Sequence, residues 1–305
     1  MNIEELRYQL LLLKVLMLGK KKEVFNNPDK SIVSLFSENL SFDLSGGKIP
    51  IYTTKNVYWK GALKEMLWFI KGEGDITDLA KDKVRIWDKW ALKHYLESGN
   101  SFEGDHTEFV DQLVANNVSY RIPIPYTDFT NWEGTNQMDW VCENIVKDPD
   151  RKHYLVSAWN PKRLYQMATD EDESVVIAAC HWGHCLNVVE GKLNMHLFIR
   201  SNDLFLGNPF NVCQYGFLLR MYCKLTGFHP GRLAVTITDA HIYSNQIKQV
   251  KEQLLKIPRQ FPTISIVDRE YKSIKDFTYD DFIVEGYKPG KTIKADVVLA
   301  GGYKK

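Results

Sequence analysis

Cys180, His181, His184, Cys185 and Arg200 fall in one stretch, and their side chains could ligate a metal, exchange electrons or attack carbon. Four ligands inside "CHWGHC" suggest a metal. Strand alternation, however, sends Cys180 and Cys185 to opposite faces, and no second Cys/His pair follows at zinc-type spacing. A CxxC redox pair is also absent. Free cysteines in strands are often simply small apolar residues, which suits Cys185. That leaves Cys180 as one activated thiol, whose thiolate needs nearby positive charge. Arg200 follows an apolar run on the next strand and needs a partner there; a thiolate or an anion would serve.

Periodicity indicates the elements that must hold these residues. "SVVIAACHWGHCLNVV" and "KLNMHLFIRS" meet at Glu190-Gly191 and predict a hairpin. "PFNVCQYGFLLRMYCKLTG" predicts a helix that is apolar nearly all round, hence deeply buried. "RLAVTITDAHIYS" predicts a strand, "YWKGALKEMLWFIKGEG" a helix ending at glycines, and "SIVSLFSENLSFDLS" a strand pair. "YRIPIPYTDFTNW" is broken by prolines and predicts an ordered loop. The N-terminal "YQLLLLKVLMLG" is too short to span a bilayer and is interrupted by Lys14. It predicts a buried helix closed by Gly19. Strands mixed with long helices, with no break in composition, predict one α/β (or α+β) domain over residues 1–305.

Composition narrows the function. The 39 basic and 38 acidic side chains nearly cancel, which argues against duplex nucleic acid but not against a small anion in a local pocket. Five cysteines without repeated spacing suit a reducing cytoplasm. Glu4 and Glu5 stand where a signal peptide would need positive charge, and no membrane partner is expected.

"ACH", then "IRSNDLFLGNPFN", then "TDAHIYSN" resembles the thymidylate synthase family. That family shows a Cys-His at a strand end, an RS-x-D-x-FLG-x-PFN segment and a G-D-x-H-x-Y-x-N segment. The resemblance extends through "IYTTK", "KEMLWF", "VRIWDKW" and "DPDRKHYLVSAWN" to "DFIVEGYKPGKTIKADVVL", covering most of the chain. It implies a three-layer α/β domain with a large twisted mixed sheet that packs on its copy in a homodimer. It also implies one-carbon transfer from 5,10-methylenetetrahydrofolate to carbon 5 of deoxyuridine monophosphate (dUMP), with no metal.

Residue by residue, the resemblance implies that Cys180 attacks carbon 6 of uracil and so makes carbon 5 nucleophilic. Arg200 and Ser201 match phosphate ligands, and the arginine's charge should lower the thiol pKa. Asn211 matches the residue that pairs with N3–H and O4 of uracil; a helix N-cap is compatible with that role. His241 and Tyr243 match ligands of the sugar 3′-hydroxyl, and Glu65 a proton relay to the ring carbonyl. Asp203 matches the pterin ligand, while Ile86, Trp87, Trp90, Leu206, Gly207 and Phe210 match the folate wall.

The chain departs from the pattern in several places. The phosphate-loop arginine falls on Asn27, with Lys30 nearby, and the arginine pair donated across the dimer falls on Lys152 and His153. The tyrosine segment lacks its glycine and arginine, so Tyr126 is the candidate and Tyr120 the reserve. Ala179 replaces the usual proline, and six residues extend past the usual end. The final step therefore stays open. Hydride gives thymidylate and dihydrofolate, whereas water gives 5-hydroxymethyl-dUMP, the product of a deoxyuridylate hydroxymethylase. Trp87 favours the first by excluding water. A zinc module on "CHWGHC" and a catalytically dead nucleotide binder remain outside these two.

Overall fold

The computed structural model describes residues 2–24, 27–168 and 174–298. The large sheet is built from Lys20–Val24 (β1), Asn27–Asp43 (β2), Leu155–Ser157 (β3), His181–Val189 (β4), Lys192–Asp203 (β5) and His229–Tyr243 (β6). Its spatial order is β1-β2-β6-β5-β4-β3. β5 and β6 are parallel and the other neighbours antiparallel, so the sheet is mixed. Thr263–Ile266 (β7) and Phe282–Glu285 (β8) form a separate antiparallel pair. The helices are Ile3–Leu18 (α1), Trp59–Lys71 (α2), Ile76–Lys81 (α3), Asp88–Glu97 (α4), His106–Ala115 (α5), Gln137–Lys147 (α6), Gly207–Thr226 (α7) and Ile247–Leu254 (α8).

A parallel pair needs a crossover, and α7 provides the one from β5 to β6. Its apolar surface extends round the helix because it is covered on both sides: β5 and β6 lie below it and α2 above. Sheet, α7 and α2 therefore stack in turn. Gly227, with φ of 76°, accepts the left-handed turn that ends α7.

Two expectations about the N-terminal region need correction. The run "SIVSLFSENLSFDLS" is not a strand pair but part of the single long strand β2. Ser37 adopts φ of 62° and is skipped in the pairing with β6, but the register is the same on either side, so one strand continues through it. Helix α1 is also only half buried. Tyr8, Leu11, Leu12 and Val15 face the core, while Ile3, Leu10, Leu13 and Met17 are exposed. The sequence is apolar on every side, but the fold packs only one of them. Among the described residues, no helix is long and apolar enough to cross a membrane.

The hairpin turns at Glu190 and Gly191 as the sequence indicates, both with positive φ. Simple alternation fails at the start of β4. Cys180 lies in a bend just outside the strand, and the register with β5 shifts between His181 and Gly183. Faces therefore cannot be counted from Cys180 to Cys185 as in a regular strand. The shift leaves both His181 and His184 buried beside α7, where they hydrogen-bond the hydroxyls of Tyr215 (3.0 Å) and Tyr222 (2.9 Å). Burial holds both imidazoles neutral, each pushed down to about 3.

Candidate active site

The bend at Cys180 is held from two directions. Its backbone N–H donates to the Tyr126 hydroxyl at 3.1 Å, and its carbonyl accepts the backbone N–H of Arg200 at 2.8 Å. The Arg200 side chain completes the clamp: Nε donates to the Ala179 carbonyl and Nη2 to the Ala178 carbonyl, each at 3.0 Å. Burial pushes the Cys180 thiol up, and the Arg200 charge pulls it only partly back. The expectation of a net lowered thiol is thus corrected. Arg200 acts in the expected direction, but desolvation outweighs it.

Tyr126 lies on a 3-10 turn, Pro125–Phe129, inside the proline-broken loop. It is buried, stacked on His181 with ring centres 4.2 Å apart and packed on Phe69 at 4.4 Å. A partly buried ion pair, Arg163 to Asp128 at 2.7 Å, anchors the same turn. The reserve candidate, Tyr120, lies elsewhere, bonded to His94 at 2.8 Å and packed on Phe109.

Glu65 sits on the buried face of α2. Trp87 Nε1 donates to one carboxylate oxygen and Gln214 Nε2 to the other, both at 2.6 Å. Burial pushes this carboxyl up to about 7 despite both bonds. The chain of donors continues. Asn211 Nδ2 donates to Gln214 Oε1 at 3.4 Å, Asn202 Nδ2 to Asn211 Oδ1 at 3.0 Å, and Asn208 Nδ2 to Asn202 Oδ1 at 2.7 Å. The Tyr52 hydroxyl closes it on Asn208 Oδ1 at 2.9 Å. Every bond in this line points its donor toward Glu65, which fixes the orientation of the Asn211 amide.

Asn211 is the fifth residue of α7, inside the helix, so the N-cap reading is corrected. The entry to α7 is secured instead by Asp203, whose Oδ1 accepts from the N–H groups of Phe205 (2.9 Å) and Leu206 (3.0 Å). Its Oδ2 accepts from Gln246 at 2.8 Å. A lone pair remains on Oδ2 for a further donor. Beside it, buried Lys55 donates to the Phe205 carbonyl and is pushed down to about 8 by burial.

His241 and Tyr243 stand two apart on β6, both buried, with their rings edge to face at 5.2 Å. His241 Nδ1 bonds Asp239 Oδ1 at 3.0 Å. Ser201 is half-buried and pairs with Asp239 in the β5–β6 register. Of the proposed folate wall, Trp87 is buried, Trp90, Leu206 and Phe210 are partly buried, and Ile86 is exposed. Gly207 opens α7, and an added Cβ there would make only ordinary contacts of 3.6–3.7 Å.

Lys152 and His153 are not brought to this cluster. Leu155 pairs with Cys185 and Ser157 with Gly183, so the chain before Leu155 runs away from Cys180. Lys152 instead lines a groove of about 300 Å³ with Cys185, Asn187, His196 and Arg232. At about 3.3 Å per residue along β4, that groove is roughly 20 Å from Cys180. The side chain of Asn27 and residues 300–305, the extension past the usual end, lie outside the described residues.

The family model described as Thymidylate synthase matches residues 6–299. This chain belongs to the thymidylate synthase family. It is similar to "Thymidylate synthase" of Mycoplasma mobile, at 34% identity over 299 residues that cover 96% of this chain and 99% of the relative. It is also similar to "Thymidylate synthase" of Mycoplasma pneumoniae, at 33% identity over 279 residues, covering 90% and 93%. The family is one of one-carbon transferases, and its mixed sheet with packed helices is the architecture described above.

Sequence reasoning missed Gln214 and Asn202, the two amides that join Asn211 to Glu65. A signal for Gln214 was present. It is polar, three residues after Asn211, in a helix otherwise apolar enough to be buried all round. Asn202 offered no such signal, because a polar residue beside Arg200 and Asp203 reads as part of a solvated strand end.

Proposed function

We propose that this protein is a thymidylate synthase, converting dUMP and 5,10-methylenetetrahydrofolate to thymidylate and dihydrofolate. Cys180 adds to carbon 6 of uracil, and the electrons released make carbon 5 a nucleophile for the folate methylene. Arg200, with Ser201, receives the phosphate and favours the thiolate. The guanidinium charge itself offsets part of the burial penalty that raises the thiol. Asn211, its amide oriented by Asn202 and Gln214, reads N3–H and O4 of uracil. Glu65, poised near neutral, moves a proton to or from the ring carbonyl, and Tyr126 assists removal of the carbon 5 proton.

Asp203 holds the pterin, and Ile86, Trp87, Trp90, Leu206, Gly207 and Phe210 line the folate. The folate supplies the one-carbon unit and the hydride. One domain spans the chain, and two copies pair through the sheet so that Lys152 and His153 reach the partner's nucleotide phosphate.

The observation that carries this reading is the Trp87–Glu65 bond of 2.6 Å. It fixes the indole beside the acid–base group and beneath Tyr126, whose ring is 6.4 Å away edge to face. A fixed indole keeps water from the methylene intermediate and leaves hydride as the reductant. The test is the product. Dihydrofolate should form in equal amount to thymidylate, and Trp87→Ala should leak toward 5-hydroxymethyl-dUMP. Wild-type protein that releases 5-hydroxymethyl-dUMP without dihydrofolate would instead be a deoxyuridylate hydroxymethylase.

A further inference from the structure

We propose that Lys22, on the edge strand β1, is a positioning residue for the sugar: it acts through Asp239 to set His241. The proposal rests on the reading of His241 as a ligand of the 3′-hydroxyl. Three strands are crossed to build the arrangement. Lys22 Nζ donates to Asp239 Oδ2 at 2.7 Å and to Ser34 Oγ at 3.0 Å. Asp239 Oδ1 bonds His241 Nδ1 at 3.0 Å. Ser34 is the register partner of His241 across β2 and β6, so the lysine passes beside the histidine's own cross-strand neighbour.

The chemistry follows from what each group can do. Burial raises the Asp239 carboxyl, but bonds from His241 and Lys22 more than offset this and hold it well below the usual range. As an ionised carboxylate it only accepts, so Nδ1 of His241 must donate. Nε2 is then the ring nitrogen left to meet the sugar hydroxyl. Lys22 contributes twice. Its ammonium pairs with the Asp239 carboxylate, and its bond to Oδ2 leaves Oδ1 facing His241. Lys22 is about half exposed and packs no core, so its substitution leaves the hydrophobic interior intact.

Calorimetric binding of dUMP and of 2′,3′-dideoxyuridine monophosphate to the full chain tests this without relying on turnover. Wild-type protein should prefer dUMP. Lys22→Met should weaken dUMP binding about 5- to 10-fold, the order expected for one misoriented hydrogen bond. The analogue without the 3′-hydroxyl should change less than about twofold, and Lys22→Arg should restore most of the dUMP affinity. Equal losses for both nucleotides, or no loss for either, overturn the role given to Lys22. Wild-type protein that binds both nucleotides equally overturns the assignment of His241 itself, a separate result.

Discussion

The backbone N–H of Cys180 and the hydroxyl of Tyr126 are joined by a 3.1 Å hydrogen bond, so the proposed nucleophile and the proposed phenol are fixed through the main chain. Tyr126→Phe keeps the stacking on His181 and removes only the hydroxyl. Turnover should fall about 100- to 1,000-fold, in the range of a lost acid–base group, with a stability cost of about 1 kcal/mol for the lost acceptor. The covalent complex with 5-fluoro-dUMP and methylenetetrahydrofolate should still form, because trapping precedes loss of the carbon 5 proton. Steady-state rates and mass spectrometry of the adduct check both halves.

The same adduct assigns the thiol. Cys180→Ser should abolish it and Cys185→Ser should leave it intact, since Cys185 lies with Lys152 in the groove on the far part of β4. Peptide mapping that finds the fluorinated nucleotide on Cys185 would sink the assignment.

Glu65 gives a pH prediction with a definite sign. Its folded carboxyl is raised from 4.5 to about 7 by burial, so between those values the folded state binds more protons than the unfolded one. Stability from this group is therefore greatest below about 4.5 and declines as pH rises toward 7. Glu65→Gln removes that decline. Relative to wild type it should be more stable at pH 8 by up to about 3 kcal/mol, with little difference at pH 4.5. Urea unfolding at the two pH values measures this, and turnover should be largely lost at both.

Asn202 is expected to matter for base choice without touching the base. Asn202→Ala removes the donor that orients the Asn211 amide at 3.0 Å, leaving that amide free to turn over. Preference for deoxyuridylate over deoxycytidylate should drop several-fold, on the order of 1 kcal/mol. Asn211→Asp should go further and improve relative acceptance of deoxycytidylate. Competition between the two nucleotides reads both variants, and an unchanged preference in Asn211→Asp removes Asn211 from base recognition.

Lys152 lies too far from Cys180 to serve its own site. An inactive Cys180→Ala chain mixed with an inactive Lys152→Ala chain should regain activity, because one hybrid site carries both native residues. Subunit exchange confirmed by mass labelling, with no recovered turnover, would contradict a shared site.

Much of this was legible in the sequence. The hairpin at Glu190-Gly191 and the deep helix α7 follow from alternation and periodicity, whereas the Arg200 side chain finds its partners in the Ala178 and Ala179 carbonyls. What was not legible depends on groups brought together from far along the chain. Burial at Cys180 comes from surrounding elements, so the thiol shift had the wrong net sign. Glu65 reads as a solvated helix residue until Trp87 and Gln214 close on it. Asn211 precedes the apolar run and resembles an N-cap, yet the helix starts four residues earlier, at Gly207, after the turn that Asp203 holds. Ser37 breaks alternation without ending its strand, a distinction set by pairing with β6.

That pairing has a consequence for biosynthesis. β2 forms its inner ladder with residues 232–243, roughly 200 positions later in the chain. At about 5–20 residues per second, the ribosome takes roughly 10–40 s to supply them. For that interval β2 emerges with one edge covered by β1 and the other open, a template for pairing with any neighbouring nascent chain. Three consecutive lysines, Lys20, Lys21 and Lys22, guard the outer side, and Ser37, with its positive φ, leaves a gap in the ladder of the inner one. These residues protect the chain before an active site exists to be used.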